Sequence, residues 1–123
     1  MVLMESSHGS TAEARRATAD FLSVVGGWVD VDAVVLVVSE LVTNAARHTA
    51  GWWRLRVRVS RDHLVVDVED ASPVKPQTRR GDLRGGGGLG LPMVQRLAGS
   101  FEVVQRSGGK TVRARWALSP AMA

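Results

Sequence analysis

The chain contains no cysteine, which excludes disulfides and every thiolate metal site. Long apolar runs are missing too. A bilayer span needs about 20 consecutive apolar residues, and no run in the sequence approaches that length. The sequence does not open with a basic stretch followed by an apolar one. No signal peptide is therefore expected, and neither is a membrane partner; a cytoplasmic protein follows. Lysine is nearly missing: of 16 Lys and Arg residues, only Lys75 and Lys110 are lysines. Alongside abundant Ala, Val and Gly, this reads as the codon usage of a GC-rich genome. Three histidines, His8, His48 and His63, are dispersed and lack metal-ligand spacing such as H-E-x-x-H. Ser39 precedes Glu40, but neither sits in a nucleophile-elbow pattern.

What is present fits one domain of ordinary size. The 123 residues are 45% hydrophobic, enough for a real core. A formal charge of +4 and a pI near 11.0 favour anionic partners in general. Val2-Leu3-Met4 reads as an edge strand within a flexible lead spanning residues 1–9. Ser10-Thr11-Ala12-Glu13 is a capping box, in which hydroxyl and carboxylate satisfy free amide donors at a helix start. The helix it opens runs to Val25, with Ala14, Ala17, Phe21, Leu22 and Val25 on its apolar face, and Gly26-Gly27 stops it. Asp30 or Asp32 caps a second helix that reaches His48, with Val34, Leu36, Val37, Leu41 and Ala45 toward the core.

That second helix carries a polar stripe. Glu40, Asn44 and His48 are four residues apart, so they lie on one helical face, a turn between each. His48 also stands where an imidazole meets the negative end of the helix dipole, which gives it a structural role.

Strict alternation over residues 53–60 predicts a strand with Trp53, Leu55, Val57 and Val59 on one side and arginines on the other. Arg61-Asp62 makes a turn. Pairing Val59 with Leu64 sets Arg56 opposite Asp67 and Arg54 opposite Glu69, a charge-paired outer face. These pairs, and the lack of an aromatic platform, argue against a specific nucleic-acid partner. The same parity places Asp70 on the core face with Leu64, Val66 and Val68. A carboxylate there needs a donor, because burying it unpaired is costly.

Residues 74–88 read as a polar loop running into Gly85-Gly86-Gly87-Gly88-Leu89-Gly90. Leu91, Met93, Val94 and Leu97 then describe a third helix to Ala98, with Pro92 tolerated in its first turn. Glycines followed by a helix N-terminus suit phosphate. The order of elements is wrong for a Rossmann fingerprint. Gly109-Lys110-Thr111 ends like a P-loop, but Val104 stands where the first glycine belongs and a strand follows. Strands over 101–106 and 110–118, joined at Ser107-Gly108-Gly109, close the domain. Val112, Ala114, Trp116 and Leu118 of the last strand face the core, and Thr111, Arg113 and Arg115 face out.

Glu40 and Asn44 on a helix, Asp70 at a strand end, a lid-like loop and a glycine-rich helix start come in the order seen in the GHKL superfamily of ATP-binding domains. That superfamily is shared by sensor histidine kinases, type II topoisomerases, ninety-kilodalton heat-shock chaperones and MutL repair proteins. Within it, Ser39-Glu40-Leu41-Val42-Thr43-Asn44-Ala45 and Gly108-Gly109-Lys110-Thr111-Val112 resemble the small standalone domains related to anti-sigma factor serine kinases. The resemblance implies an α+β fold, a two-layer sandwich of a mixed, mostly antiparallel sheet with about three helices on one face. It also implies ATP and Mg²⁺ as cofactors. Asn44 matches the asparagine that ligates the Mg²⁺, and an amide oxygen suits that hard ion. Glu40 matches the carboxylate that orients or deprotonates the attacking group. Asp70 matches the acceptor of the adenine amino hydrogens. Gly86, Gly88 and Gly90, with Leu91 beside them, match the segment that closes on the phosphates, and residues 74–88 the ATP lid.

Two features depart from the family pattern. Ser72 replaces the glycine that usually follows the aspartate by two positions, and a serine backbone is less free. The final-strand threonine is displaced by one position, so that Lys110 takes the core-face slot. The resemblance implies a serine/threonine protein kinase acting on an anti-sigma-antagonist protein and binding a sigma factor, as a homodimer. Only one short helix precedes the Glu40 helix, without the acceptor-His hairpin of a sensor kinase. The alternative is an ATP-binding regulatory or adaptor module with little catalysis.

Overall fold

The computed structural model describes residues 1–25, 29–48, 52–72 and 90–118. Along the chain come β1 (Val2–Glu5), α1 (Thr11–Val25), α2 (Val31–His48), β2 (Trp53–Ser60), β3 (His63–Asp70), α3 (Gly90–Leu97), β4 (Ser100–Arg106) and β5 (Gly109–Ala117). The expected turn at Gly26-Gly27, the lid over 74–88, and Gly86 and Gly88 within it lie outside the described residues.

Local chemistry accounts for the helix starts. Ser10 N–H donates to Glu13 Oε1 at 3.0 Å and Glu13 N–H to Ser10 Oγ at 3.2 Å, the reciprocal capping box. At α2 the cap is Asp30, whose Oδ1 accepts from Ala33 N–H at 3.1 Å. On α1, the polar Thr18 is fully buried with Ala14 and Leu22. It can be, because Thr18 Oγ donates to Ala14 O at 2.8 Å, satisfying itself within its own helix. On α2 the buried stripe holds Val34, Val37, Val38, Leu41, Val42 and Ala45, while Leu36 is 42% exposed. Leu36 was expected in the core. At 100° per residue it falls on the far side of the wheel from that stripe.

The strands form one sheet in the order β1-β2-β3-β5-β4, with every pairing antiparallel. A mixed, mostly antiparallel sheet was expected, and the topology explains why no parallel pair is present among the described strands. Because β4 and β3 are each antiparallel to β5, they run the same way. The α3 crossover therefore joins two parallel strands, but β5 lies between them and no parallel pair forms. The Val2–Glu5 edge strand pairs with Val57–Arg54 of β2, so the first nine residues are not a flexible lead throughout. Val2 reaches the core and its backbone is held by the ladder.

The helices pack on one face. α2 packs against α1, α3, β2 and β3, and its valines meet Leu55, Val57, Leu64, Val66 and Val68 of the sheet in one cluster. Trp116 lies in the same cluster and its indole N–H donates to Leu97 O at 2.8 Å, satisfying a carbonyl at the α3 end.

The outer face is charged. The register Arg54↔Glu69 and Arg56↔Asp67 is as expected, but register does not decide partners. Asp67 turns instead to Arg113 of β5, with Nε–Oδ1 at 2.6 Å and Nη2–Oδ2 at 3.3 Å. That hydrogen bond, outweighing desolvation, raises the Arg113 guanidinium above its ordinary range, with the Asp67 and Glu102 charges adding. Arg56 stays exposed. Arg54 bridges Glu5 and Glu69, each at 3.5 Å. Thr111, expected to face solvent, is only 3% exposed, and its hydroxyl has no partner among the described residues. On a strand with neighbours on both sides, adjoining side chains cover the outer face as well.

Candidate functional site

The described residues singled out from sequence lie on α2, the end of β3 and the start of α3, and α2 packs against both other elements. Glu40 and Asn44 are half-buried. On the wheel they occupy the edge of the apolar stripe opposite Ser39. Ser39 Oγ accepts from Arg15 Nη1 of α1 at 3.1 Å, so the Glu40–Asn44 edge faces away from α1. Among the described residues no hydrogen bond or ion pair engages the Glu40 carboxylate or the Asn44 amide. In a chain this rich in arginine, a half-buried carboxylate without a cation is available as a base or an anion-orienting group. Gly90 opens α3 and Leu91 follows in its first turn; His48 is the last residue of α2.

Asp70 is buried at 4% exposure, as strand parity requires. Its donor comes from within the chain. In the β3–β5 register Lys110 stands directly opposite, and Lys110 Nζ lies 3.1 Å from Asp70 Oδ1 and 3.0 Å from Oδ2. Lys110 is itself 4% exposed. Asp70 Oδ1 also accepts from Ser72 N–H at 2.9 Å, an Asx-type turn, so Ser72 holds the carboxylate in place. Nζ makes a longer contact of 3.5 Å to Ser72 O. Sequence reasoning put Lys110 on the core face but did not join it to Asp70. The missing step was the β3–β5 pairing, since alternation marks faces and not neighbours.

The pair lines a cavity of about 280 Å³ at the sheet end, bounded also by Trp52, Glu69, Arg106 and the Gly108-Gly109 turn. Gly109 is there by necessity: a Cβ on it would lie 2.3 Å from Asp70 O. Gly108, at φ 80°, takes the left-handed turn position. Glu40 and Asn44 do not line this cavity; the described structure joins Asp70 to Lys110, and leaves the α2 pair on its own edge.

A histidine kinase-like ATPase domain model matches residues 4–116. The chain belongs to that family. As a member it is an ATP-binding domain. Its fold is also that of solved kinase domains. The catalytic domain of histidine kinase ThkA, in a nucleotide-free form, matches with a TM-score of 0.60 at 15% identity over 100% of each chain. The histidine kinase domain of the E. coli osmosensor EnvZ matches at 0.56 and 21%, covering 97% of this chain and 89% of that one. Acinetobacter baumannii histidine kinase AdeS gives 0.57 and 15%, over 97% and 68%. At such identities they establish the fold alone. No curated protein matches the chain.

The donor set of this family member suits Mg²⁺ held through a nucleotide. Among the described residues no group of three His, Asp or Glu side chains could hold a metal ion. Mg²⁺ keeps several waters and takes one or two protein oxygens plus phosphate oxygens, and the unengaged Asn44 amide can supply one such oxygen.

Proposed function

We propose that this domain is an ATP-dependent serine/threonine protein kinase of the anti-sigma type, acting on an anti-sigma-antagonist protein and binding a sigma factor. The observation that carries the reading is the Glu40 carboxylate, unpaired among the described residues, one turn before Asn44 on a half-buried helix edge. Asn44 holds the magnesium nucleotide. Bound Mg²⁺ neutralises phosphate charge and orients the terminal phosphoryl group. Glu40 accepts the hydroxyl proton of the substrate serine or threonine as its oxygen bonds to phosphorus, and ADP leaves with the electrons of the broken P–O bond. Asp70 accepts from the base, Gly90 and Leu91 begin the helix beside the phosphates, and Gly86 and Gly88 belong to the lid. A homodimer and a cytoplasmic setting complete the reading.

A second reading has its own observation. Asp70 is already satisfied by Lys110 and Ser72, which suits a regulatory ATP-binding module with weak nucleotide turnover. Single-turnover transfer from labelled ATP to a candidate antagonist protein separates the two. Transfer by the wild type that is lost in Glu40→Ala supports the kinase. ATP binding with no transfer supports the module. Absence of magnesium-dependent ATP binding, with Asn44→Ala indistinguishable from wild type, removes both.

A further inference from the structure

Asp70 is closed to ligands by its own chain. Lys110 Nζ lies 3.1 Å from Oδ1 and 3.0 Å from Oδ2, and the Ser72 N–H bonds Oδ1 as well. The Asp70 and Lys110 side chains are 3% and 5% exposed. A base approaching from solvent therefore meets no open carboxylate oxygen. For its amino hydrogens to reach Asp70, the ammonium bonded to both oxygens has to give way. Among the described residues, the other acceptor near Nζ is Ser72 O at 3.5 Å, too long for a strong bond, so Lys110 has no good second seat.

We infer that Lys110 is an internal competitor for the adenine acceptor: it holds Asp70 shut until the amino group of the base takes the ammonium's place, and so sets the affinity for ATP. Lys110 is a positioning residue in this role, acting through Asp70. The inference rests on the nucleotide reading above, with Asp70 at the base. The exchange is uphill. A hydrogen bond between charged groups is roughly twice as strong as one between neutral groups, and a buried cation that loses its carboxylate is left uncompensated. The open pair is therefore a minor form, and the apparent affinity falls by the fraction of molecules that are open. Lys110 thus supports the fold and opposes ATP. A lysine that only supported the fold would give the other sign: its loss would weaken ATP binding or leave it unchanged.

Calorimetric titration of the full chain with magnesium ATP, and with the magnesium triphosphate of purine riboside, which lacks the 6-amino group, tests it. Lys110→Thr removes the ammonium and suits a strand. It is expected to bind ATP at least about tenfold more tightly than the wild type, the least that a bond to a charged group is worth, and to bind the purine riboside triphosphate as the wild type does. ATP binding that is unchanged or weaker in Lys110→Thr overturns the inference, as does an equal gain for both nucleotides. A second measurement needs no variant to fold. A buried, bonded ammonium exchanges slowly with water and gives its own nitrogen-15 signal, and the chain has only two lysines, Lys75 and Lys110. Saturating the wild type with ATP is expected to displace the Lys110 signal, and purine riboside triphosphate to leave it in place. A Lys110 signal that stays put with ATP bound overturns the inference alone. Absence of ATP binding in both the wild type and Lys110→Thr overturns it together with the nucleotide reading.

Discussion

Lys110 stands opposite Asp70 in the β3–β5 register, and its ammonium reaches both carboxylate oxygens, at 3.1 and 3.0 Å, with both side chains almost entirely buried. Removing one partner of such a pair leaves an uncompensated charge in the interior. Lys110→Met is therefore expected to lower stability by about 3–5 kcal/mol. Asp70→Asn combined with Lys110→Met, which leaves no charge, is expected to recover most of that loss. Urea unfolding of the single and double variants measures both. Additive losses in the double variant would contradict a coupled pair.

Glu40 and Asn44 have no partner among the described residues and are half-buried. Replacing them is expected to change stability by no more than about 0.5 kcal/mol. The same Glu40→Gln change is expected to slow phosphoryl transfer by about 10²–10⁴-fold, the usual contribution of a general base, while leaving the ATP dissociation constant nearly unchanged. Thermal unfolding and rapid-quench kinetics on one protein preparation report both. A variant that unfolds early would assign Glu40 to the scaffold.

Gly108 and Gly109 are neighbours with different requirements. An alanine at Gly109 would drive a Cβ against the Asp70 carbonyl, at 2.3 Å; backbone cannot yield as a side chain does. Gly109→Ala is expected to cost about 3 kcal/mol or more, at the upper end of overpacking effects. Gly108→Ala meets no atom within 4 Å but keeps a φ of 80°, and should cost about 1–2 kcal/mol. The reverse order in chemical denaturation would refute this assignment.

The outer face gives a matched contrast. Arg113 holds Asp67, which is 8% exposed, whereas Arg56 sits across the ladder from the same aspartate without engaging it. Arg113→Ala is expected to cost about 1.5–3 kcal/mol, the range for a charged hydrogen bond, and Arg56→Ala less than about 0.5 kcal/mol. If both variants unfold alike, the Asp67 carboxylate is shared in solution.

Thr111 buries a hydroxyl that no group among the described residues satisfies. Thr111→Val removes the orphan with little change in shape and suits a strand. It is expected to raise stability by about 1 kcal/mol and to leave ATP affinity unchanged, because Thr111 pairs across from Glu69 on the face away from the helices. A weakened ATP affinity would show that this threonine reaches the nucleotide.

Much of this arrangement was readable from the chain alone, because it depends on local periodicity. The capping box at Ser10, the run of α2 to His48, the hairpin register from Val59 and Leu64, and the inward turn of Asp70 all follow from helical and strand repeats of a few residues. So did the order of Glu40, Asn44 and Asp70 that pointed to a nucleotide. Alternation says which face a residue takes but not which strand lies beside it. Only the tertiary structure inserted β5 between β3 and β4, and that insertion set three outcomes. It gave Asp70 its lysine, drew Asp67 from Arg56 to Arg113, and covered Thr111. Leu36 left its expected core place for a related reason: burial depends on which neighbours pack against a helix, and it lies across the wheel from the buried stripe. The polar stripe on α2 was thus a property of the sequence, while the partner of the buried aspartate was decided by strand order, a long-range contact that no local pattern encodes.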